Sequence, residues 1–271
     1  MATVRILEEM KRDVLGAVLR VELEAPEGGV RELVLRTLDG PLVLRPLAAL
    51  LAARERRALR ACGGAVPACG LPALSDAERR ALSAIRGARR VFVREFVPGV
   101  PLHRAELLPR DFFEHLERIV RGLHAAGVCH NDLHKEQNVV VAPGGWPRLI
   151  DFQLASVHPT GAGRAFESRC RDDLRHVQKL RRRYTKDGRG PAELGVLEEH
   201  RMPRRGVALL WRRTGKPLYM LLTRGVLRTR DGEERRPSAG PWPRWGAPLG
   251  GLEVTGTDPA ADPAASASSG T

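Results

Sequence analysis

Apolar and polar residues alternate with a period of two through Ala17–Glu24 (AVLRVELE) and again through Val30–Arg36 (VRELVLR). The turn PEGG at 26–29 separates them, so the pattern predicts two strands. From Leu47 to Ala61 the period lengthens. Leu47, Leu50, Leu51, Ala58 and Leu59 recur at helical spacing and predict a helix. Ser75 followed by Glu78 is a capping-box pattern and starts a short helix. Arg90–Val97 (RVFVREFV) reads as a strand, closed by Pro98-Gly99. Beyond Asp111, which suits an N-cap, the character turns helical. Phe112, Leu116, Ile119, Val120 and Leu123 make one apolar stripe that stops near Gly127. Val139–Val141 and Arg148–Ile150 predict short strands around the turn PGGW, and further helices are predicted at about 168–184 and 192–201. No repeat is visible. Strands around one helix followed by a helical remainder define an α+β chain.

Composition refines this picture. At 271 residues the chain can form one large domain or two small lobes around a shared cleft. Aromatic residues make up only 4%, so Leu, Val and Ala must supply most of the core. Residues 237–271 are rich in Pro, Gly, Ala and Ser, a composition that buries too little apolar surface to offset the entropy of ordering; disorder is the expectation there. The net charge is +13, and only five of the 45 basic residues are Lys. Such a surface favours anionic partners. Cys62, Cys69, Cys129 and Cys170 form no Cys-x-x-Cys, which argues against a disulfide scaffold or a zinc site. No signal-peptide core and no run of 18 apolar residues is present, so the expected location is cytoplasmic.

The segment GVCHNDLHKEQNVVVAPGGWPRLIDFQLAS, residues 127–156, concentrates the chemistry. Asp132 follows a helix and a short loop, where a carboxylate could accept the proton of a hydroxyl. His130, two residues earlier, would brace that loop. Asn138 and Asp151 offer a neutral and a charged oxygen donor of the kind magnesium takes. The hairpin between them would bring both to one side of a cleft. Glu55 attracts notice on other grounds. Leu51 and Leu59 lie four residues to either side, so its carboxylate faces inward and needs a cationic partner. The alternative is a solvated charge paired with Arg54, Arg56 and Arg57.

With these residues in place, the chain resembles the protein-kinase-like superfamily, and within it the compact RIO-type kinases and the bacterial lipopolysaccharide core-sugar kinases. The resemblance spans roughly residues 5–185 and is specific around 123–156. It implies a bilobal fold: a β-rich N-lobe over 1–97, an α-rich C-lobe over 98–236 and no extended activation segment. It also implies Mg-ATP as cofactor, Asp132 as catalytic Asp, Asn138 and Asp151 as metal ligands, Glu95-Phe96-Val97 as the hinge whose backbone binds adenine, and Glu55 as the helix Glu. The implied reaction is transfer of the γ-phosphoryl group to a hydroxyl, of a protein Ser/Thr first and of a sugar or lipid second.

Several positions depart from that pattern. Five residues separate Asp132 from Asn138 where the kinase pattern has four, yet the thirteen-residue step from Asn138 to Asp151 fits and favours Asn138 over Gln137. Gln153 stands where Gly is usual. No G-x-G-x-x-G occurs early; Gly16 stands alone in KRDVLG, in the segment that would cover the phosphates. The strand Lys is absent, with Arg36 at its place. Arg36 could replace it, or Lys11 could reach the phosphates from the loop. These gaps keep a nucleotide-binding pseudokinase in play. Residues 204–230 combine Arg and Lys with Leu, Trp and Tyr, which suits either basic-faced core helices or contact with an anionic membrane surface. Nucleic acid is the least favoured partner, because aromatic stacking residues are few.

Overall fold

The computed structural model describes residues 2–13, 15–25, 28–38, 40–64, 66–85, 91–186 and 235–249. The predicted helix at 192–201 and the basic stretch 204–230 lie outside these residues. The N-terminal part is an antiparallel sheet. Strands β1 (Thr3–Asp13), β2 (Gly16–Glu24), β3 (Val30–Thr37) and β4 (Val91–Glu95) lie side by side in that order. Between β3 and β4 the chain forms helices α1 (Arg45–Cys62) and α2 (Asp76–Ser83). Leu19, Val21, Leu23, Leu33 and Leu35 bury one set of alternating positions, with Leu82 of α2 packed into the same cluster. The Ser75–Glu78 capping box is present in full.

The remainder is short strands and two long helices. β5 (Val100–Pro101) and β6 (Leu107–Pro109) lead to α3 (Phe112–Ala125). β7 (Val128–Cys129), β8 (Val139–Val141), β9 (Pro147–Leu149) and β10 (Ser156–Val157) follow, then α4 (Arg164–Thr185) and β11 (Arg244–Gly246). A second apolar core gathers Phe112, Phe113, Leu116, Val120 and Leu123 of α3 with Val177, Leu180 and Tyr184 of α4. This is a mixed α+β architecture of the bilobal kinase-like kind: a small antiparallel sheet, then helices.

α1 differs in detail from its sequence pattern. Its buried face is Ala48, Ala52, Glu55, Ala58, Leu59 and Cys62, whereas Leu47 and Leu50 are 46% and 52% exposed. The small residues win because this face must approach another backbone closely: α1 packs on the turn Phe152–Leu154 and joins the second core, not the sheet's. Asp111 also departs from expectation. It occupies the N-cap position of α3 but makes no capping bond; its Oδ2 lies 2.9 Å from His115 Nε2, and its Oδ1 accepts from the Leu249 N–H at 2.8 Å.

The segment expected to be disordered is the clearest correction. Its first part, within 235–249, packs on the second core through Trp242 and Trp245, and β11 adds parallel to β6. Low overall hydrophobicity hid two well-spaced tryptophans, each large enough to anchor a segment. Residues 250–271 lie outside the described ones.

Candidate active site

The loop from β7 into β8 carries the first group. Asp132 is 2% exposed. Asn138 Nδ2 donates both to its backbone oxygen and to Oδ2, each at 3.0 Å. The ammonium of Lys135 is 2.9 Å from Oδ2, and His134 Nδ1 is 3.2 Å from Oδ1. Oδ1 itself is buried and accepts no hydrogen bond. Asn138 therefore stands against Asp132 despite the extra residue between them, because the chain makes a short 3-10 turn over Glu136–Asn138 that absorbs it.

His130 braces the loop. Its Nε2 lies 3.0 Å from the Ile150 oxygen, the residue before Asp151, and its ring packs 4.6 Å from that of Phe152. The loop is further held by Asp173, a residue with no sequence-level assignment. This fully buried carboxylate accepts from the N–H groups of His130 (2.8 Å) and Asn131 (2.9 Å), and His124 Nε2 lies 3.3 Å away. The signal was present: Asp173 lies four residues before Val177 on the buried stripe of α4, the same logic that flagged Glu55. Asn131 and Asp151 are the only positive-φ non-glycine positions among the described residues, at 63° and 66°. Asn and Asp tolerate this region better than most, yet strain of order 1 kcal/mol at each is held by the surrounding bonds.

Asp151 sits at the N-cap position of the turn Phe152–Leu154 and makes no capping hydrogen bond. Glu55 faces it from α1. Glu55 is 2% exposed, so the solvated-charge alternative fails. Its partner is Arg94 of β4, with Nε 3.5 Å from Oε1. Burial pushes the Glu55 carboxyl up from 4.5 to about 7; Arg94 opposes this, and the charge of Asp151 adds to it.

Arg36, at the position of the expected lysine, lowers the Glu55 carboxyl less than Arg94 does. Arg36 Nη2 lies 3.6 Å from Asp13 Oδ2, and Lys11 Nζ lies 3.8 Å from the same oxygen. Lys11 lies near the end of β1, where Asp13 pairs with Gly16 of β2, and Arg36 lies on β3 opposite Val18 of β2. The register explains Arg94. Arg36 stands opposite Phe92, and Val34 opposite Arg94. Because side chains alternate, Arg36 and Arg94 share one face of the sheet, and the cation that meets Glu55 comes from the neighbouring strand. In VFVREFV, the charged residue two after buried Phe92 was the signal available.

In the segment expected to be the hinge, the N–H groups of Glu95 and Phe96 donate to the carbonyls of Gly70 (2.9 Å) and Glu32 (3.2 Å), and the Val97 side chain packs on the second core. Lys11, Gly16, Arg36 and Glu95 belong to the strands of the N-terminal sheet, and Asp132, Asn138 and Asp151 to the loops around β7, β8 and β9.

The oxygen donors suit magnesium, which takes few protein ligands and keeps water and phosphate for the rest. Asp132 Oδ1 is buried and accepts no hydrogen bond, with His134 Nδ1 at 3.2 Å. Asn138 donates to Asp132 through Nδ2.

The antiparallel sheet followed by the helical half is the arrangement of a bilobal kinase-like fold. The chain is 36% identical over 120 residues to a protein of Oryza sativa subsp. japonica named "Putative cyclin-dependent kinase F-2"; the match covers 40% of this chain and 36% of that protein. The chain thus spans little more than a third of the length of the curated relative it matches. No family model matches the chain. No helix among the described residues is long and apolar enough to cross a membrane.

Proposed function

We propose that this protein is an ATP-dependent phosphotransferase that moves the γ-phosphoryl group to a hydroxyl, with a protein Ser/Thr side chain as the favoured acceptor in the manner of the RIO-type kinases. The observation that carries the reading is the Asp132–Asn138–Lys135 contact set held against Asp151 by His130. In this reading Asp132 accepts the proton of the attacking hydroxyl through Oδ1, the oxygen left without a hydrogen bond. Lys135, 2.9 Å away, holds negative charge on the transferring phosphoryl. Asn138 and Asp151 would hold the magnesium, which when bound neutralises phosphate charge. Glu55 and Arg94 position the sheet against the Asp151 turn, and the hinge at Glu95–Val97 receives adenine. The short span between Asp151 and α4 leaves no long activation segment, which favours a compact atypical kinase and keeps a sugar or lipid hydroxyl as second acceptor class.

The test is thermal shift of the full chain with Mg-ATP, beside Asp151→Asn, followed by γ-labelled ATP turnover of Asp132→Asn. Binding to the native state should raise the melting temperature, and Asp151→Asn should remove most of the rise. Asp132→Asn should keep binding and lose at least ~100-fold in turnover. Phosphoamino-acid analysis separates protein from sugar or lipid products. Absence of any Mg-ATP shift sinks the reading; a shift with turnover indifferent to Asp132 assigns a binding module.

A further inference from the structure

Behind the Asp132 loop three elements meet, and each brings one soft donor. The end of α3 supplies His124, β7 supplies Cys129 and α4 supplies Cys170. One ring nitrogen of His124 and the two sulfurs lie within 4.8 Å of one another. Cys129 is buried, and the other two are half-buried. We propose that His124, Cys129 and Cys170 form a zinc site that clips α3, β7 and α4 together beneath the Asp132 loop.

The geometry is specific. Two thiolates on a tetrahedral zinc, each at about 2.3 Å, stand roughly 3.8 Å apart; the two Sγ atoms are 3.7 Å apart. A disulfide would need about 2.05 Å. The donor set is the nitrogen-and-sulfur kind that zinc selects over magnesium. Asp173 Oδ2, 3.3 Å from His124 Nε2, orients the imidazole as outer carboxylates orient metal-binding histidines. Binding removes one proton from each thiol to solvent and forms two sulfur–zinc bonds, so the buried unit Zn(S)₂ is neutral and avoids the cost of a buried charge. Burial otherwise holds both thiols protonated and inert. A water completes the fourth position from the half-exposed side. The site was not foreseen from the sequence because its cysteines are far apart in the chain and share no Cys-x-x-Cys.

The full chain, purified without chelator, should retain one zinc per molecule by elemental analysis. After chelation, cobalt should restore a thiolate-to-cobalt charge-transfer band and tetrahedral visible bands. Cys170→Ser should weaken metal affinity by roughly 100-fold or more, beyond the ~10–100-fold typical of outer-sphere changes. His124→Gln should also weaken it, while the double variant Cys62→Ser/Cys69→Ser should bind as wild type. Circular dichroism checks that each variant folds, and Cys170→Ser lies on a half-exposed position to keep the test usable if Cys129→Ser does not fold. No stoichiometric metal and no charge-transfer band in the wild type overturns the proposal. So does a cobalt spectrum unchanged in Cys170→Ser, or air loss of two thiols from metal-free protein that no zinc protects. None of these outcomes depends on ATP binding.

Discussion

Glu55 carries a proton through part of the neutral pH range. Its folded value of about 7 lies above the ordinary 4.5, so the folded state binds that proton more tightly than the unfolded one. The stability this gives is complete below about pH 4.5 and is lost as pH rises through 7, by at most about 3 kcal/mol. Denaturant midpoints should therefore fall between pH 5 and 8 in the wild type, and Glu55→Gln should flatten that slope. Turnover should move the other way and rise across pH 7, since the pair with Arg94 needs the carboxylate. Arg94→Met should break the pair, at a cost of about 3–5 kcal/mol when Glu55 is ionised, and weaken Mg-ATP binding more than Arg36→Met does; equal effects of the two would show that Arg36 keeps the role expected from its strand. At this scale Glu55 is legible in the sequence because a lone carboxylate interrupts an apolar helical face. Arg94 is legible only as a charge on the buried face of its strand; that it meets Glu55 depends on which strand faces which, and that register is not written locally. Asp173 is legible as a carboxylate on the buried stripe of α4, but its partners are not, since they precede it by 42 and 43 residues.

Secondary elements translate local pattern faithfully where one face is solvated. The alternation of β2 and β3 and the capping box of α2 are readable for that reason, and Ser75→Ala should cost about 1 kcal/mol in a urea midpoint. α1 is harder, since its contact face is made of alanines that permit close approach to the Phe152 turn while larger leucines point outward. Gly127 sets the junction between α3 and β7. Its φ is +70°, and an added Cβ would stand 2.4 Å from the His158 carbonyl oxygen. Gly127→Ala should cost about 2 kcal/mol or more, from the left-handed backbone and the displaced carbonyl together. Because β7 opens directly into His130, its turnover should fall further than Ser75→Ala turnover at matched stability.

The described residues gather into two apolar clusters, with α1 resident in the second. Glu136, between Lys135 and Asn138, is 1% exposed and ties that loop to distant chain. It accepts from the Tyr184 hydroxyl at 2.7 Å, lies 3.0 Å from Arg183 Nε, and accepts from the Arg236 N–H at 3.3 Å. The Arg236 side chain donates to the carbonyls of Leu102 and Ala105. Arg236→Ala should lower the melting temperature and the turnover number together, while leaving the pH dependence attributed to Glu55 intact.

The bond between Arg236 and Glu136 bridges 100 residues, and it imposes an order on biosynthesis. The N-terminal sheet can close while the chain is still being made, since β4 ends at Glu95. The Asp132 loop cannot reach its final anchorage until residue 236 has cleared the ribosome, so a nascent chain should acquire its sheet well before it acquires a competent site.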